Sequence, residues 1–515
     1  MTPRRISTSI NRRTMLKGAA GLAVTAAGLS HLPTALAQEP GPITVPDPVT
    51  TLPTDDITFR WVDSGDAKSF FWKAFFPMYT EAHPNIKVDY QGLPWNEIQK
   101  VVPLGVQNGN APDCFQIPPN VPPPMAYSEG WGAAMEDIIP DFEAIKASFP
   151  AGSFVNGINQ FDGKTYAMPL TSNRRHGSLL LYNREQMTQA GLDPQANPFT
   201  WDTFREAAKT LTDQGDGEYY GLIFEGGQTG RYSEWANNFA RLSGLNMATF
   251  TGAAPMDMKT GEFLFMAPEI QAAIELLLAI KDDGSIFPGS ASLNAPEARA
   301  RIPQGAASMI IQGPWNVSQW RNEAPDFDFG VAKTPVQSQD SQHFVHVGPG
   351  GSNPIWVYAD SKYKEVAADI LAYVASLPGQ TAWASYVGVA DQAILPEAQA
   401  AAATDDAEVL ATNAIFDEQV RLAPDARVRN PDAGKIYEAI VPVQPDFGTT
   451  IQGIFSGQIS DIPGAMQGLQ DAWNAELERA IGAATEGGAT VSRDDFVFPN
   501  WDPSVDYTAE MYDAL

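Results

Sequence analysis

The chain has 515 residues, 33 Lys and Arg against 61 Asp and Glu, and a formal net charge of −28. Length allows two domains or more. So acidic a surface repels nucleic acid and anionic lipid. The single cysteine, Cys114, excludes an intrachain disulfide framework and a cysteine-rich metal site, and no metal or other cofactor is expected.

The N-terminus reads N-R-R-T-M-L-K over residues 11–17, followed by an Ala/Gly-rich apolar stretch from Gly18 to Leu32 and by Ala35-Leu36-Ala37. A twin arginine, an apolar segment and a small-x-small site together predict a Tat signal peptide over 1–37. Loss of its five basic residues (Arg4, Arg5, Arg12, Arg13 and Lys17) would take the chain to −33. No cysteine follows the expected cleavage site, so the mature protein is expected to be a free, soluble periplasmic protein rather than a lipoprotein. Residues 38–55 carry Pro40, Pro42, Pro46, Pro48 and Pro53 and are expected to form a disordered linker.

From Ile57 onward, strands and helices alternate. Ile57, Phe59 and Trp61 alternate with polar residues, as in a strand; an amphipathic helix follows and stops at His83-Pro84. Ile86–Tyr90 reads as a strand, Trp95–Asn108 as a helix closed by Gly109, and Cys114–Ile117 as a strand. This β-α-β-α-β order predicts a largely parallel, doubly wound sheet. The pattern recurs: strand Ser178–Asn183, helix Trp201–Thr212 with Thr200 as N-cap, strand Tyr220–Phe224, helix Glu269–Asp282, strand Ala307–Gln312 ending at Gly313-Pro314-Trp315, strand Ile355–Tyr358 and helix Tyr363–Ser376. Residues 396–484 read as mostly helical.

Five stretches in this order carry a resemblance. They are F-P-M-Y-T-E-A-H-P-N-I-K-V-D (76–89), N-A-P-D-C-F-Q (110–116), L-L-L-Y-N-R-E-Q-M (179–187), T-W-D-T-F (200–204) and G-A-A-S-M-I-I-Q-G-P-W (305–315). Over about 57–485 the chain resembles the family-1 extracellular solute-binding proteins of carbohydrate ABC importers, maltose-binding proteins among them. The resemblance implies a periplasmic-binding-protein-like fold of type II: two doubly wound α/β lobes joined by hinge crossovers, with the ligand in the cleft between them. One lobe is expected from 56–170 with 348–390, the other from 171–347 with 391–515. The implied function is capture of a sugar or oligosaccharide by cleft closure and delivery to the importer's permease, by a monomer that is not an enzyme.

Sugar recognition needs aromatic plates for C–H faces and polar groups for hydroxyls. Ligands of doubly wound sheets sit beyond the carboxyl ends of strands. Asp66, Trp95 and Gln116 follow the first three strands; an N-cap is the competing reading for Asp66 and core packing for Trp95. The resemblance places hinge-side contacts at Asn173 and Arg174, and stacking aromatics at Trp235 and Trp315. Gly351 and Ser352 offer donors or merely a tight turn, and Phe447 is a further aromatic candidate.

The stretch between Tyr166 and Tyr182 is longer than in the maltose-binding members and adds Asn173, Arg174, Arg175 and His176. Arg174 and Arg175 motivate the alternative of an acidic sugar or other small organic anion. A secreted polysaccharide-active enzyme and a Tat-exported redox protein are the rival classes. Neither has a supporting motif, and the H-x-x-H of His343 and His346 puts the two rings on opposite faces of a strand, as structural residues.

Overall fold

The computed structural model of the protein describes residues 43–340, 344–402 and 404–515. The expected signal peptide, residues 38–42 and His343 lie outside the described residues.

The first lobe begins with β1 (Ile57–Asp63), α1 (Lys68–Ala82), β2 (Ile86–Gly92), α2 (Trp95–Gln107), β3 (Cys114–Phe115) and β4 (Ala167–Met168). β1 pairs in parallel with β2, from Ile57 opposite Ile86 to Asp63 opposite Gly92, and with β3. Phe59 and Trp61 point into an aromatic core built by one face of α1: Phe71, Trp72, Phe75, Phe76 and Tyr79 are all buried. Trp72 packs on Trp61 at 4.5 Å and stacks on Phe76 at 4.9 Å. The turn after β1 passes close to the end of β2 because glycines stand at both places, Gly65 and Gly92. A Cβ on Gly92 would stand 2.8 Å from the Gly65 Cα, and Gly65 has φ +66°.

The chain then crosses into the second lobe: β5 (Leu179–Asn183), α3 (Trp201–Gly215), β6 (Tyr220–Ile223), α4 (Thr229–Arg241), α5 (Pro268–Asp282), α6 (Ala295–Arg301), β7 (Ala307–Gln312), α7 (Trp315–Glu323) and β8 (Phe329–Ala332). Leu180 and Tyr182 enter one core with α3, α4 and α5, while Leu179 and Leu181 enter another with Ile310, Trp320 and Phe329. Both faces of this sheet are therefore covered, and its strands read as apolar runs rather than alternations. α3 starts on a capping box, with Thr200 Oγ1 accepting from Thr203 N–H at 3.2 Å.

A second crossover returns the chain to the first lobe as β9 (Ile355–Val357), α8 (Lys364–Ala375) and α9 (Leu377–Val387). The first sheet has the order β2-β1-β3-β9-β4, the second β8-β5-β7-β6. The expectation of largely parallel sheets needs one correction. β9 runs antiparallel to β3 and β4, and β5 antiparallel to β7 and β8. The reason is topological. Strands of the βα units end at the cleft, whereas β5 and β9 arrive from the opposite lobe and so begin there.

Two expected boundaries also move. Residues 43–55 are not a disordered linker: Ile43 is buried in the first core, Val49 N–H donates to Asp369 Oδ1 at 2.8 Å, and Asn85 Nδ2 donates to the Pro53 carbonyl at 2.7 Å. Prolines removed helix and strand here, but the apolar side chains between them still anchor the segment. The last crossing is not at 390/391. After Val389, which touches the second core, Ala393, Ile394, Leu395 and Ala398 pack in the first, and the chain settles into the second lobe with α10 (Ala407–Gln419), through Val409, Ile415 and Phe416. α11 (Ile462–Glu486) and the C-terminal segment complete the second lobe, where Phe498, Trp501 and Tyr507 are buried. No described helix is long and apolar enough to cross a membrane.

Candidate ligand cleft

The carboxyl ends of β1, β3, β6 and β7 face one another across the gap between lobes. At the end of β1, Ser64 N–H donates to Gln116 Oε1 at 2.8 Å, and Gln116 Nε2 donates to Asn353 Oδ1 at 3.2 Å. Gln116, buried at the end of β3, thus has both ends of its amide engaged within the protein.

Asp66 has φ 52° and caps no helix; α1 begins without a side-chain cap. Instead its Oδ1 accepts from Arg299 Nη2 of the opposite lobe at 2.9 Å. The Arg299 side chain is only 3% exposed and also donates to Gln319 Oε1 and to the Ala295 carbonyl. This ion pair spans the cleft.

Trp315 opens α7 at the end of β7. Its half-buried ring packs against the edge of the first-lobe core, and its indole N–H donates to Gln312 Oε1 at 3.2 Å. The guanidiniums of Arg175 and Arg231 stand 5.8 and 5.9 Å from its centroid, within cation–π range. Gly177 permits this crowding, since a Cβ there would fall 3.2 Å from the Trp315 ring and against Glu234 Oε1. Arg231 is neutralised from both sides, donating to Glu225 at 2.5 Å and pairing with Glu234. Burial holds the Glu234 carboxyl above the usual carboxylate range, against the opposing pull of Arg231.

The remaining candidates fall elsewhere. Trp235 is 3% exposed, stacks on Phe239 at 4.1 Å and donates its indole N–H to the Ala273 carbonyl at 2.9 Å. It is a core residue, and the expected stacking role is corrected. Phe447 is likewise fully buried, edge-on to Phe265 at 5.0 Å. Trp95 packs against the cluster of Val62, Ile98 and Phe115, which agrees with its core reading. Arg174 turns away to Asp506 of the C-terminal segment, and Asn173 Nδ2 donates to the Gly348 carbonyl. Gly351, at φ +67°, forms a tight turn against Pro169, and Ser352 N–H donates to the Thr171 carbonyl at 2.8 Å. Of the ten candidates, the structure brings Asp66, Gln116 and Trp315 to the facing strand ends, and Asn173, Gly351 and Ser352 to the crossovers beside them.

Sequence reasoning missed Lys68, Arg231, Glu234, Arg299, Asn353 and Asp391. For Lys68, Arg299, Asn353 and Asp391 a decisive partner lies far away in the chain, so no local spacing marks them, whereas Arg231 and Glu234 pair at i,i+3, a spacing that an ordinary surface helix shows equally well. For Trp235 a local signal did exist: Phe239 follows four positions later on the same helical face, the spacing of a core stripe. His346 is buried, with Nε2 2.8 Å from the Pro503 carbonyl, and burial lowers its pKa to about 4. A surface groove of about 310 Å³ lies outside the cleft, beside α2; the guanidinium of Arg60 in its lining is already bonded to the Asn110 and Ala111 carbonyls.

Two α/β lobes with crossover strands running against the sheet, and strand ends facing across a cleft, define a two-lobed binding protein. Residues 63–381 match the bacterial extracellular solute-binding protein family, and the chain belongs to it. The chain spans about half the length of some curated relatives: it is 26% identical to a Brucella abortus binding protein over 219 residues, 41% of this chain and 47% of that one. It is 26% identical to the diacetylchitobiose binding protein DasA of Streptomyces coelicolor over 322 residues, 60% of this chain and 67% of that one. It is 24% identical to the sn-glycerol-3-phosphate-binding periplasmic protein UgpB of Brucella abortus over 300 residues, 53% of this chain and 64% of that one. Among solved structures, the Thermotoga lettingae solute-binding protein bound with α-D-tagatose superposes with TM-score 0.62 at 19% identity, covering 83% of this chain and 100% of that one. The GacH receptor of Streptomyces glaucescens does so with TM-score 0.59 at 18% identity, covering 82% and 98%. These likenesses establish the type II fold of periplasmic sugar-binding proteins.

Proposed function

We propose that this protein captures a neutral sugar or oligosaccharide between its lobes and delivers it to the permease of an ABC importer. On this reading it is a monomeric binding protein rather than an enzyme, exported by the Tat route and free in the periplasm. The observation that carries the reading is the setting of Trp315: an aromatic face at the cleft, flanked by charges that are already paired with one another. A planar apolar face among hydrogen-bonding groups suits the C–H face and hydroxyls of a pyranose. The tagatose and diacetylchitobiose named for its relatives support the same class.

Charge pairing supports a neutral rather than an acidic ligand. Arg231 is matched by Glu225 and Glu234, Arg299 by Asp66, and Arg175 by Asp391. Arg174, which motivated an acidic ligand, is engaged by Asp506. No guanidinium among these is left over for a carboxylate or phosphate. The test is a thermal-shift screen of the mature protein against neutral mono- and oligosaccharides, uronates and sn-glycerol 3-phosphate. Ligands of the folded state raise the midpoint by mass action. A rise with neutral sugars and none with the anions is expected. A rise confined to the anions would overturn the neutral reading, and turnover of an oligosaccharide would overturn the binding-protein reading.

A further inference from the structure

The segments that join the lobes converge on one buried carboxylate. Asp391 is 2% exposed and lies in the turn Gly388–Asp391. Its Oδ1 is ion-paired with Arg175 Nη1 of the first crossover at 2.6 Å, a nitrogen that donates to the Ala390 carbonyl, and accepts from Asn353 Nδ2 of the second. Its Oδ2 faces Lys68 Nζ at 3.8 Å, and that ammonium donates to Ser64 Oγ at the end of β1. Asn353 carries the network onward, donating to Thr171 Oγ1 at 3.1 Å and accepting from Gln116 at the end of β3. The main chains of the same segments are knitted together: Thr171 bridges to both Ser352 and Ala393, and Ser172 N–H donates to the Gln392 carbonyl at 2.9 Å. The turn also reaches the second lobe, where Val389 packs in its core and Ser318 Oγ of α7 donates to the Val387 carbonyl at 2.7 Å.

We propose that Asp391 is the positioning residue of the hinge: one carboxylate that registers the two crossovers and the 388–393 turn with one another and with the strand ends of the cleft. The inference builds on the solute-binding reading, because a hinge matters only if the lobes move. A buried carboxylate with two cations and an amide around it tolerates few geometries, since leaving any of them unpaired is costly. Arg175 is at once a ligand of this carboxylate and a neighbour of the Trp315 ring. Lobe rotation that shifts a crossover is therefore transmitted to a side chain at the cleft, and the reverse holds equally.

The test uses the complete mature protein without any ligand. Hydrogen exchange is followed by mass spectrometry in wild type, Asp391→Asn, Arg175→Gln and Asp369→Asn. Asp391→Asn keeps the shape and one acceptor but removes the charge facing Arg175 and Lys68. Exchange is expected to rise by roughly tenfold or more in 170–176, 350–354 and 390–395 together, with β1 and β7 unchanged. Arg175→Gln, which touches one arm only, is expected to raise exchange in the same three segments. Asp369→Asn is the control. That carboxylate anchors Val49 and Tyr79 in the first lobe, so its loss loosens 43–50 and leaves the hinge segments alone. Unchanged exchange in the hinge segments, or a rise spread evenly through both sheets in Asp391→Asn and Arg175→Gln alike, would overturn the proposal. Because no ligand is present, a protein that binds no sugar could still pass, and a sugar binder could still fail.

Discussion

The ion pair between Asp66 and Arg299 links residues that belong to different lobes, so its energy is a closure energy. At 2.9 Å, with an effective dielectric of about 20, the bare attraction is about 6 kcal/mol. Most of that is offset. Both groups regain water when the lobes part, and the Asp66 side chain is still 26% exposed when they are together. A net contribution of about 1–2 kcal/mol remains, or roughly 5- to 30-fold in the ratio of closed to open forms. Asp66→Asn should lower that ratio by the same factor and weaken apparent ligand affinity as the competent fraction falls. Asp66 is the cleaner partner to change, because Arg299 also holds Gln319 and Ala295 within its own lobe. Distances between spin labels on Lys100→Cys and Lys209→Cys, exposed sites one per lobe, read the two populations. A double-mutant cycle with Arg299→Gln isolates the pair. A coupling energy below about 0.5 kcal/mol, within ordinary additivity, would refute the assignment of this pair to closure.

Trp315→Ala should weaken sugar binding by about 2–3 kcal/mol in titration calorimetry while leaving the urea midpoint of the ligand-free protein nearly unchanged; a parallel loss of stability would mark the ring as core. Arg174→Ala should change neither affinity nor ligand choice, since its partner Asp506 lies in the C-terminal segment. Burial lowers the pKa of His176 and of His346 to about 4, below the ordinary 6.5. As pH falls from 6.5 toward 4 the unfolded chain takes up protons that the folded one refuses. The stability these imidazoles contribute is thus complete above 6.5 and lost at up to about 1.4 kcal/mol per pH unit for each. Urea melts at pH 7, 5.5 and 4.5 should show a shallower slope in His176→Gln/His346→Gln; an identical slope would contradict the burial argument. Trp501→Ala should cost about 3–5 kcal/mol in denaturant unfolding, because its ring is fully buried under the C-terminal segment.

How much was legible depended on the range of the interaction. Strand and helix positions follow local periodicity. β7 falls at Ala307–Gln312 and α3 starts after Thr200, as the pattern predicts. The order of motifs identified the family, and with it two lobes and a cleft. Antiparallel β5 and β9 were not legible, because strand direction depends on which lobe the chain arrives from. The segment 43–55 looked unstructured because prolines exclude regular hydrogen bonding, yet Ile43, Val45 and Leu52 had a hydrophobic surface to meet.

Trp235 and Trp315 were equal candidates as residue types, and packing separated them. Helical spacing with Phe239 sends Trp235 inward, while the Gly313-Pro314 break delivers Trp315 to the end of a strand. Local pattern along the chain is enough for the elements, the family and the aromatic at that strand end, since each rests on residues close together in the chain. Which charges meet depends on the folded arrangement of both lobes. Asp66 and Arg299 are 233 positions apart, and Asp391 finds Lys68, Arg175 and Asn353 on three separate segments. Electrostatic pairing acts over a few ångströms of space and takes no account of distance along the chain, so these partners exist only once both lobes have folded.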